Sequence, residues 1–299
     1  MANDPDWLEA ATRVYLALDR PGQEAEAYLQ LGRAHPEAMA RAMAILERTG
    51  NGSRPDLQPL GRWPIADKKA LKPVLAAVPG PGGSAYLLVE DGLQQMGADG
   101  RILKVESVPG ARDLTLDASG TPLALGEDSV RWGDIAIRLP AAISKPVSAA
   151  PAPDGSFFVL TRGEPRLFRV NRKGASMGSV PVALDEPVRV RVDAAGRIYL
   201  ADGDTGQVRI YGADMAPVRT VTLVEAGRPL RRLEDLTVDF AGNLMAVDGS
   251  TKEALLFTGA GQLLASTGQG VRADAVGWDG LHAMVVLDRR EGVLWRYGS

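Results

Sequence analysis

The feature that most constrains this chain is a unit of about 40 residues that recurs along most of its length. In the clearest copy, residues 187–215, an apolar strand, an Asp-x-x-Gly turn, a second apolar strand, a polar loop and a third apolar strand follow in order. Residues 231–264 repeat this order. A unit of this length and content is typical of one four-stranded blade, so the sequence predicts a circular assembly of small sheets.

Six copies can be counted from the glycine that precedes each second strand: Gly83, Gly120, Gly155, Gly196, Gly242 and Gly280. The sixth copy ends at Ser299, where its fourth strand should begin, and a three-stranded blade would leave an unpaired edge. Residues 62–65 (RWPI) precede the first copy without a partner of their own, and Pro64 suits an edge strand. We therefore expect this segment to supply the outer strand that closes the ring.

The first 50 residues have a different, helical periodicity. A ProGly pair at 21–22 ends the first apolar stripe, and Pro36 suits the start of the last of three short amphipathic helices. The paired segments 25–33 and 36–48 resemble one tetratricopeptide (TPR)-type helical hairpin, with Tyr28, Leu31 and Gly32 near its early motif positions. An ordinary helical bundle that caps the next domain is the alternative. The predicted organisation is a TPR-like segment at 1–50, a linker at 51–59 and a six-bladed β-propeller at 60–299.

Composition excludes several classes of function. The 34 Lys+Arg and 37 Asp+Glu residues nearly balance, and no polybasic run indicates a nucleic-acid partner. The absence of cysteine excludes disulfides, thiolate nucleophiles and cysteine-ligated metals. No apolar run reaches the roughly 18 residues of a membrane helix, and Met1 leads into polar residues rather than a signal peptide. We expect a cytoplasmic chain without a transmembrane segment, or a periplasmic one if Met1 and Ala2 replace a signal peptide.

The units at 187–215 and 233–264 resemble NHL repeats. The stretches from Val192-Asp193 to Asp202 and from Val238-Asp239 to Asp248 carry the resemblance, which extends in weaker form over residues 66–299. It implies a mainly β fold, a six-bladed propeller closed by an N-terminal outer strand and preceded by the small helical segment. Propellers of this shape include lyases, lactonases and plain binding modules, so the resemblance indicates architecture more than chemistry.

Polar residues are predicted to gather at one end of the propeller channel, where the loops between second and third strands meet the starts of the innermost strands. The candidate binding residues are Asp113, Arg162, Arg189, Asp202, Asp204, Asp235, Asp248, Asp274 and Arg289. Converging carboxylates repel one another unless arginines or a cation compensate them. Oxygen ligands would suit Ca²⁺ or Mg²⁺, with Asp113, Asp235 and Asp274 as candidate ligands. Alternatively, Asp202 and Asp248 accept backbone hydrogen bonds, as in Asx turns.

Motifs for metal-dependent or nucleophilic catalysis are missing. The chain has no His-x-His, HExxH or serine nucleophile elbow, and we interpret His35 and His282 as structural. Four aspartates that precede the Asp-x-x-Gly type turns are also interpreted as structural: Asp117, Asp193, Asp239 and Asp279. We therefore predict no catalytic residue.

These observations favour a non-catalytic protein–protein interaction or scaffold module without a cofactor. Other protein subunits are the expected partners, within a larger assembly that the Ala/Arg/Gly-rich composition and the TPR-like piece indicate to be bacterial. The alternative is a divalent-cation-dependent lactonase- or lyase-like enzyme with its site at the channel mouth. RNA binding is the least favoured hypothesis, because the arginines are interleaved with acids.

Overall fold

The turns between first and second strands place glycine where the backbone must adopt the left-handed conformation. In the computed structural model of the protein, the turn glycines of four blades have φ between 80° and 85°: Gly120, Gly155, Gly196 and Gly242. Residues with a Cβ rarely adopt such angles, whereas glycine does so readily. In each turn the glycine N–H donates to the carbonyl three residues earlier, as from Gly196 to Asp193 at 3.0 Å. The predicted turn positions are therefore confirmed in these four copies.

The structure describes residues 58–64, 74–80, 84–225, 227–239, 242–268, 270–278 and 283–298. The predicted TPR-like helices, the first part of the linker and both histidines, His35 and His282, lie outside these residues, as do Gly83 and Gly280. Within the described ranges all regular secondary structure is β, in 26 strands. In the same ranges, no helix has the length and hydropathy that crossing a membrane would require.

Each copy of the repeat forms one antiparallel four-stranded sheet, which we call a blade. In blades 1 to 3 the strands follow one another from the inner to the outer edge. Their bounds are β2 Ala76–Pro79, β3 Ala85–Val89, β4 Gly92–Met96 and β5 Ile102–Ser107; β6 Asp113–Leu116, β7 Pro122–Leu125, β8 Ser129–Trp132 and β9 Ile135–Arg138; β10 Pro146–Pro151, β11 Phe157–Thr161, β12 Arg166–Val170 and β13 Ser176–Pro181.

Blades 4 and 5 have the same order, and a two-stranded hairpin lies between them in the chain. Their bounds are β14 Pro187–Val192, β15 Ile198–Asp202, β16 Gln207–Tyr211 and β17 Pro217–Thr222; the hairpin β18 Val224–Glu225 and β19 Arg228–Pro229; β20 Leu233–Val238, β21 Leu244–Asp248, β22 Ala254–Phe257 and β23 Leu263–Ser266. The hairpin explains why the interval from Gly196 to Gly242 is the longest between successive turn glycines.

Blade 6 is built from both ends of the described chain. It contains β24 Ala275–Trp278, β25 Ala283–Asp288 and β26 Val293–Gly298, and its outer strand is β1 Gln58–Pro64. β1 runs antiparallel to β26, with Trp63 opposite Leu294 and Arg62 opposite Trp295. The predicted closure by an N-terminal outer strand is thus confirmed, and the strand begins at Gln58, two residues before the expected boundary at 60.

The six first strands form a closed ring around the channel. β2, β6, β10, β14 and β20 each contact the next first strand in chain order, and β24 contacts both β20 and β2. Apolar side chains fill the spaces between adjacent blades, where Val190 and Leu200 of blade 4 pack with Phe158 of blade 3. Burying each such side chain contributes about 1.5–3 kcal/mol. The protein is therefore a mainly β, six-bladed propeller.

Each turn aspartate stabilises its own blade through hydrogen bonds. Each accepts backbone N–H groups of its own turn, as Asp193 does from Ala195 at 3.0 Å. Each also accepts from a side chain of the same blade: Trp132 Nε1 to Asp117 at 2.8 Å, Tyr199 Oη to Asp193 at 2.9 Å and Asn243 Nδ2 to Asp239 at 2.9 Å. These contacts support the structural interpretation, while Asp279 lies outside the described residues.

Candidate functional site

Neighbouring inner strands carry polar residues at one register position in the channel. These residues, each given with its partner on the second strand, are Asp113 (Leu125), Ser148 (Leu160), Arg189 (Ala201) and Asp235 (Val247). The corresponding residues of blades 1 and 6 are Ala76 and Ala275. One side of the channel is therefore polar, across blades 2 to 5, and the other is lined by alanine.

Arg191 lies two residues after Arg189 and on the same face of β14, because side chains alternate along a strand. Its guanidinium makes a two-point contact with Asp113, from Nη1 to Oδ2 at 2.8 Å and from Nη2 to Oδ1 at 2.9 Å. Asp113 also accepts from the Ser148 hydroxyl and from the Leu114 N–H at 2.9 Å. A forked contact of this kind is among the strongest hydrogen-bonded ion pairs in proteins.

Arg189 makes the second ion pair of the channel. Its Nε donates to Asp235 Oδ1 at 2.6 Å, and the same carboxylate accepts the backbone N–H groups of Leu236 at 2.9 Å and Val276 at 3.0 Å. Arg189 Nε is also 3.6 Å from Asp113 Oδ1. Because Asp113 and Asp235 belong to blades 2 and 5, which face each other in a ring of six, the two pairs together span the channel.

We call Asp113, Ser148, Arg189, Arg191 and Asp235 the channel cluster. Burial alone would raise the pKa of Asp113, but the charges of Arg191 and Arg189 and the hydrogen bonds from Arg191 and Ser148 outweigh it and lower the pKa. Burial opposes the charge of Arg189, yet Asp235 and Asp113 raise its pKa. The cluster therefore holds two carboxylates and two guanidiniums whose charges cancel.

The channel cluster leaves no carboxylate oxygen without a donor. Both oxygens of Asp113 and both oxygens of Asp235 accept at least one hydrogen bond. A Ca²⁺ or Mg²⁺ ion would have to displace these donors to reach the oxygens. Asp274, the third candidate ligand, instead contacts Arg272 and the backbone N–H of Arg289. Within the part of the chain that the structure describes, no group of three acidic or histidine side chains could hold a metal ion.

Two other candidate residues act within their own loops. Asp202 is buried and accepts the backbone N–H groups of Asp185 at 3.0 Å and Asp204 at 3.2 Å. Asp248 accepts the backbone N–H of Ser250 at 2.7 Å. Both match the alternative reading of loop acids that satisfy backbone donors. Asp204 itself is exposed at the channel mouth.

The remaining candidates lie around the mouth of the channel rather than inside it. Arg162 is exposed and donates to Glu186 at 2.9 Å. Arg289 is also exposed; it donates to the carbonyl of Leu75 at 3.0 Å, and its backbone N–H donates to Asp274 at 2.9 Å. Three of the nine predicted residues therefore meet within the channel, and the other six are distributed over the loops that surround it.

The loops around the channel mouth concentrate acids in blades 1 and 2 and arginines in blades 5 and 6, although exposed Arg112 lies in the first sector and exposed Glu291 in the second. The acidic rim consists of four exposed carboxylates of blades 1 and 2 that form no ion pair with any described residue: Glu90, Asp91, Glu127 and Asp128. The basic rim consists of five exposed arginines of blades 5 and 6 and the loops that enter them: Arg231, Arg232, Arg272, Arg289 and Arg290. The two groups occupy adjacent sectors of one face of the propeller.

Sequence reasoning missed two members of the channel cluster, Ser148 and Arg191. Arg191 carried a usable signal, since an arginine two residues after Arg189 in an otherwise apolar inner strand must share its face. Ser148 carried no comparable signal. Its role follows from its position between Asp113 and β14, where its hydroxyl also accepts the Val190 N–H at 2.9 Å.

Comparison with known proteins supports the architecture only. No protein-family model and no curated protein sequence matches the chain. A protein of unknown function from Bacteroides caccae is 13% identical, with a TM-score of 0.58 over 68% of this chain and 85% of that one. The WD40 domain of Pan2 from Neurospora crassa is 11% identical, with a TM-score of 0.55 over 83% of this chain and 96% of that one.

An enzyme is also among the similar structures. Virginiamycin B lyase from Staphylococcus aureus is 11% identical, with a TM-score of 0.55 over 76% of this chain and 81% of that one. At such identities the similarity establishes the propeller fold, which interaction domains and enzymes share.

Proposed function

We propose that the protein is a non-catalytic interaction module that binds other protein subunits through the rim of its propeller. The channel cluster carries this proposal. Its ion pairs span the channel, and together with the backbone N–H of Val276 they occupy every oxygen of Asp113 and Asp235, so the carboxylates inside the channel already have partners. A site for a substrate or metal would need groups with free coordination or hydrogen-bonding capacity there.

The rim supplies what the channel lacks, namely exposed charges with free capacity. The acidic rim has no ion pairs with described residues, and Arg231 of the basic rim has none either. Segregated charges of this kind guide the approach and orientation of a charged partner and penalise wrong partners. We infer a protein partner whose contact surface is positive opposite blades 1 and 2 and negative opposite blades 5 and 6.

The family and the assembly are parts of the same proposal. We propose an NHL-type propeller, because the units at 187–215 and 233–264 keep that repeat pattern. We also propose that the helical, TPR-like residues 1–50 provide a second contact region within a scaffold of a larger bacterial assembly. Repeat architectures of both types present broad surfaces to other proteins, which supports this combination.

The test is affinity purification of the full chain from the cells that express it, with identification of the bound proteins by mass spectrometry. We expect one partner to be retained at about 50 mM salt and lost at about 300 mM, because exposed charges are screened over a few ångströms at high salt. The double variant Arg231→Glu/Arg290→Glu should abolish its retention. Arg101→Glu, which reverses an exposed charge in a turn of blade 1 away from the rim, should not. Retention of the partner that changes neither with salt concentration nor with the rim substitutions would contradict the proposal.

A second candidate is a lactonase- or lyase-like enzyme that uses a divalent cation. The similarity to virginiamycin B lyase favours it, and another solved structure shows a catalytically inactive histidine-to-alanine variant of that lyase with quinupristin. Incubation of the full chain with quinupristin and Mg²⁺, followed by mass spectrometry, tests it directly. Consumption that stops with EDTA would support the enzyme, whereas unchanged quinupristin would end this candidate.

A further inference from the structure

A groove of about 340 Å³ lies between blades 1 and 2, away from the channel mouth. Its blade 1 wall is formed by Tyr86, Gln95, Lys104 and Glu106, and its blade 2 wall by two turns, 119–122 and 133–134. These turns join first to second and third to fourth strands, so they lie at the opposite ends of the strands from the rim. The volume is within the range of about 300–1,000 Å³ in which proteins hold small ligands.

The charges in this groove already compensate one another. Lys104 Nζ lies 2.9 Å from Asp134 Oδ1 and 3.3 Å from Glu106 Oε1, and Arg131 contacts the same Glu106 oxygen. Two cations and two carboxylates are therefore paired across the two blades. A free anion or cation that entered would have to compete with these pairs and would leave one of the existing charges unpaired.

Neutral polar groups of the groove, in contrast, keep hydrogen-bonding capacity. The Tyr86 hydroxyl and the Gln95 side-chain amide form no hydrogen bond with any residue that the structure describes. Thr121 Oγ1 and Ser119 Oγ lie 2.8 Å apart on the opposite wall. Burial raises the pKa of Tyr86, and Lys104 opposes this only in part, so the phenol is a neutral donor at physiological pH. The groove thus offers both donors and acceptors without a net charge.

We propose that the groove between blades 1 and 2 binds a neutral, polyhydroxylated ligand of the saccharide class. A sugar hydroxyl both donates and accepts, so it can accept from Tyr86 or Lys104 while it donates to Glu106 or Asp134. Leu93 and Pro122 also line the groove, but both are buried, so the polar side chains provide the recognition. This site is independent of the rim and of the protein partner proposed for it.

The experiment measures ligand binding to the full chain. Saturation-transfer difference NMR tests maltose, cellobiose and lactose, and calorimetry tests inorganic phosphate and Mg²⁺ in separate arms. We expect at least one disaccharide to bind with a Kd of about 1–10 mM, a range that a few hydrogen bonds support. Tyr86→Phe removes only the hydroxyl and should weaken that binding about 5-fold, the effect of one lost hydrogen bond.

The matched control is Tyr211→Phe, which removes a hydroxyl from blade 4 and should leave the affinity unchanged. Gln95→Leu provides a second groove variant that keeps side-chain volume. Absence of a signal from all three disaccharides would overturn the proposal. Disaccharide binding with the same affinity in the wild type and in both groove variants would also overturn it. Binding of phosphate or Mg²⁺ that Tyr86→Phe weakens, without disaccharide binding, would likewise overturn it and identify an ion site instead.

Discussion

The charged residues inside the channel and those on its rim are of the same chemical types but differ in their surroundings. The Arg191 side chain is 5% exposed and faces the fully buried carboxylate of Asp113, whereas the Arg232 side chain is 68% exposed and contacts Glu234 at 3.2 Å. A buried charge without its partner is costly, while an exposed pair contributes little. Interior charges therefore fix the arrangement of the blades, and rim charges remain available for recognition.

The largest effect on stability is expected when one interior arginine is removed. Arg191→Leu leaves Asp113 buried without its forked partner, so we expect the free energy of unfolding to fall by about 3–5 kcal/mol. Arg231→Leu on the rim should change it by less than about 0.5 kcal/mol. Urea unfolding followed by tryptophan fluorescence measures both. Similar losses in the two variants would show that interior and rim charges are not distinct.

A double substitution measures how much of this loss comes from the ion pair itself. Asp113→Leu/Arg191→Leu removes both charges, so neither is left unpaired. We expect the double variant to lose about 1–3 kcal/mol less than the sum of the two single losses. A complete double-mutant cycle by urea unfolding gives the coupling energy. Additive losses would mean that the contact between Asp113 and Arg191 contributes nothing as a pair.

The pH dependence of stability gives a third, smaller effect. The pKa of Asp113 is lower in the folded protein than in the unfolded chain, so the unfolded state binds more protons as the pH falls. The contribution of Asp113 is present above a pH of about 4 and is lost as the pH falls through the folded pKa. Unfolding free energies from pH 6 to pH 2 should therefore decline less steeply in Asp113→Asn than in the wild type. Glu127→Gln on the rim should keep the wild-type decline, and an equal slope in all three proteins would contradict this account.

The smallest effect on stability is expected from the acidic rim. Glu90→Lys/Glu127→Lys reverses two exposed charges without ion pairs, so the free energy of unfolding should change by less than about 0.5 kcal/mol. The same variant should alter the salt dependence with which the partner is retained, because rim charges govern approach and orientation. A large loss of stability in this variant would place the acidic rim among the structural charges.

The sequence predicts the propeller well because its signals are local. Each Asp-x-x-Gly turn predicts a left-handed conformation at its glycine, such as Gly196. The missing fourth strand of the last copy predicts that another segment, β1, completes that blade. The second strands β7, β11, β15 and β21 are buried at every residue, and their continuous apolar runs signal this in the sequence. These features repeat, so an error in one copy is corrected by the others.

The channel cluster could be predicted only in part. Asp113, Arg189 and Asp235 are predicted because they lie at or near the starts of inner strands. Their pairing with Arg191 and Ser148 depends on which strands face each other across a ring of six, and no spacing within one blade encodes that. The separation of rim charges into two sectors also depends on the order of blades around the ring, which appears only once the ring is closed.

The pairing of β1 with β26 has a consequence for biosynthesis. The ribosome releases residues 58–64 long before residues 293–298, so the nascent chain must keep one strand with exposed backbone groups through the synthesis of five blades. A late, long-range pairing of this kind slows folding. Closure of the ring thus waits for the synthesis of β26, and a polypeptide truncated before β26 would expose unpaired strand edges that chaperones or proteases could recognise.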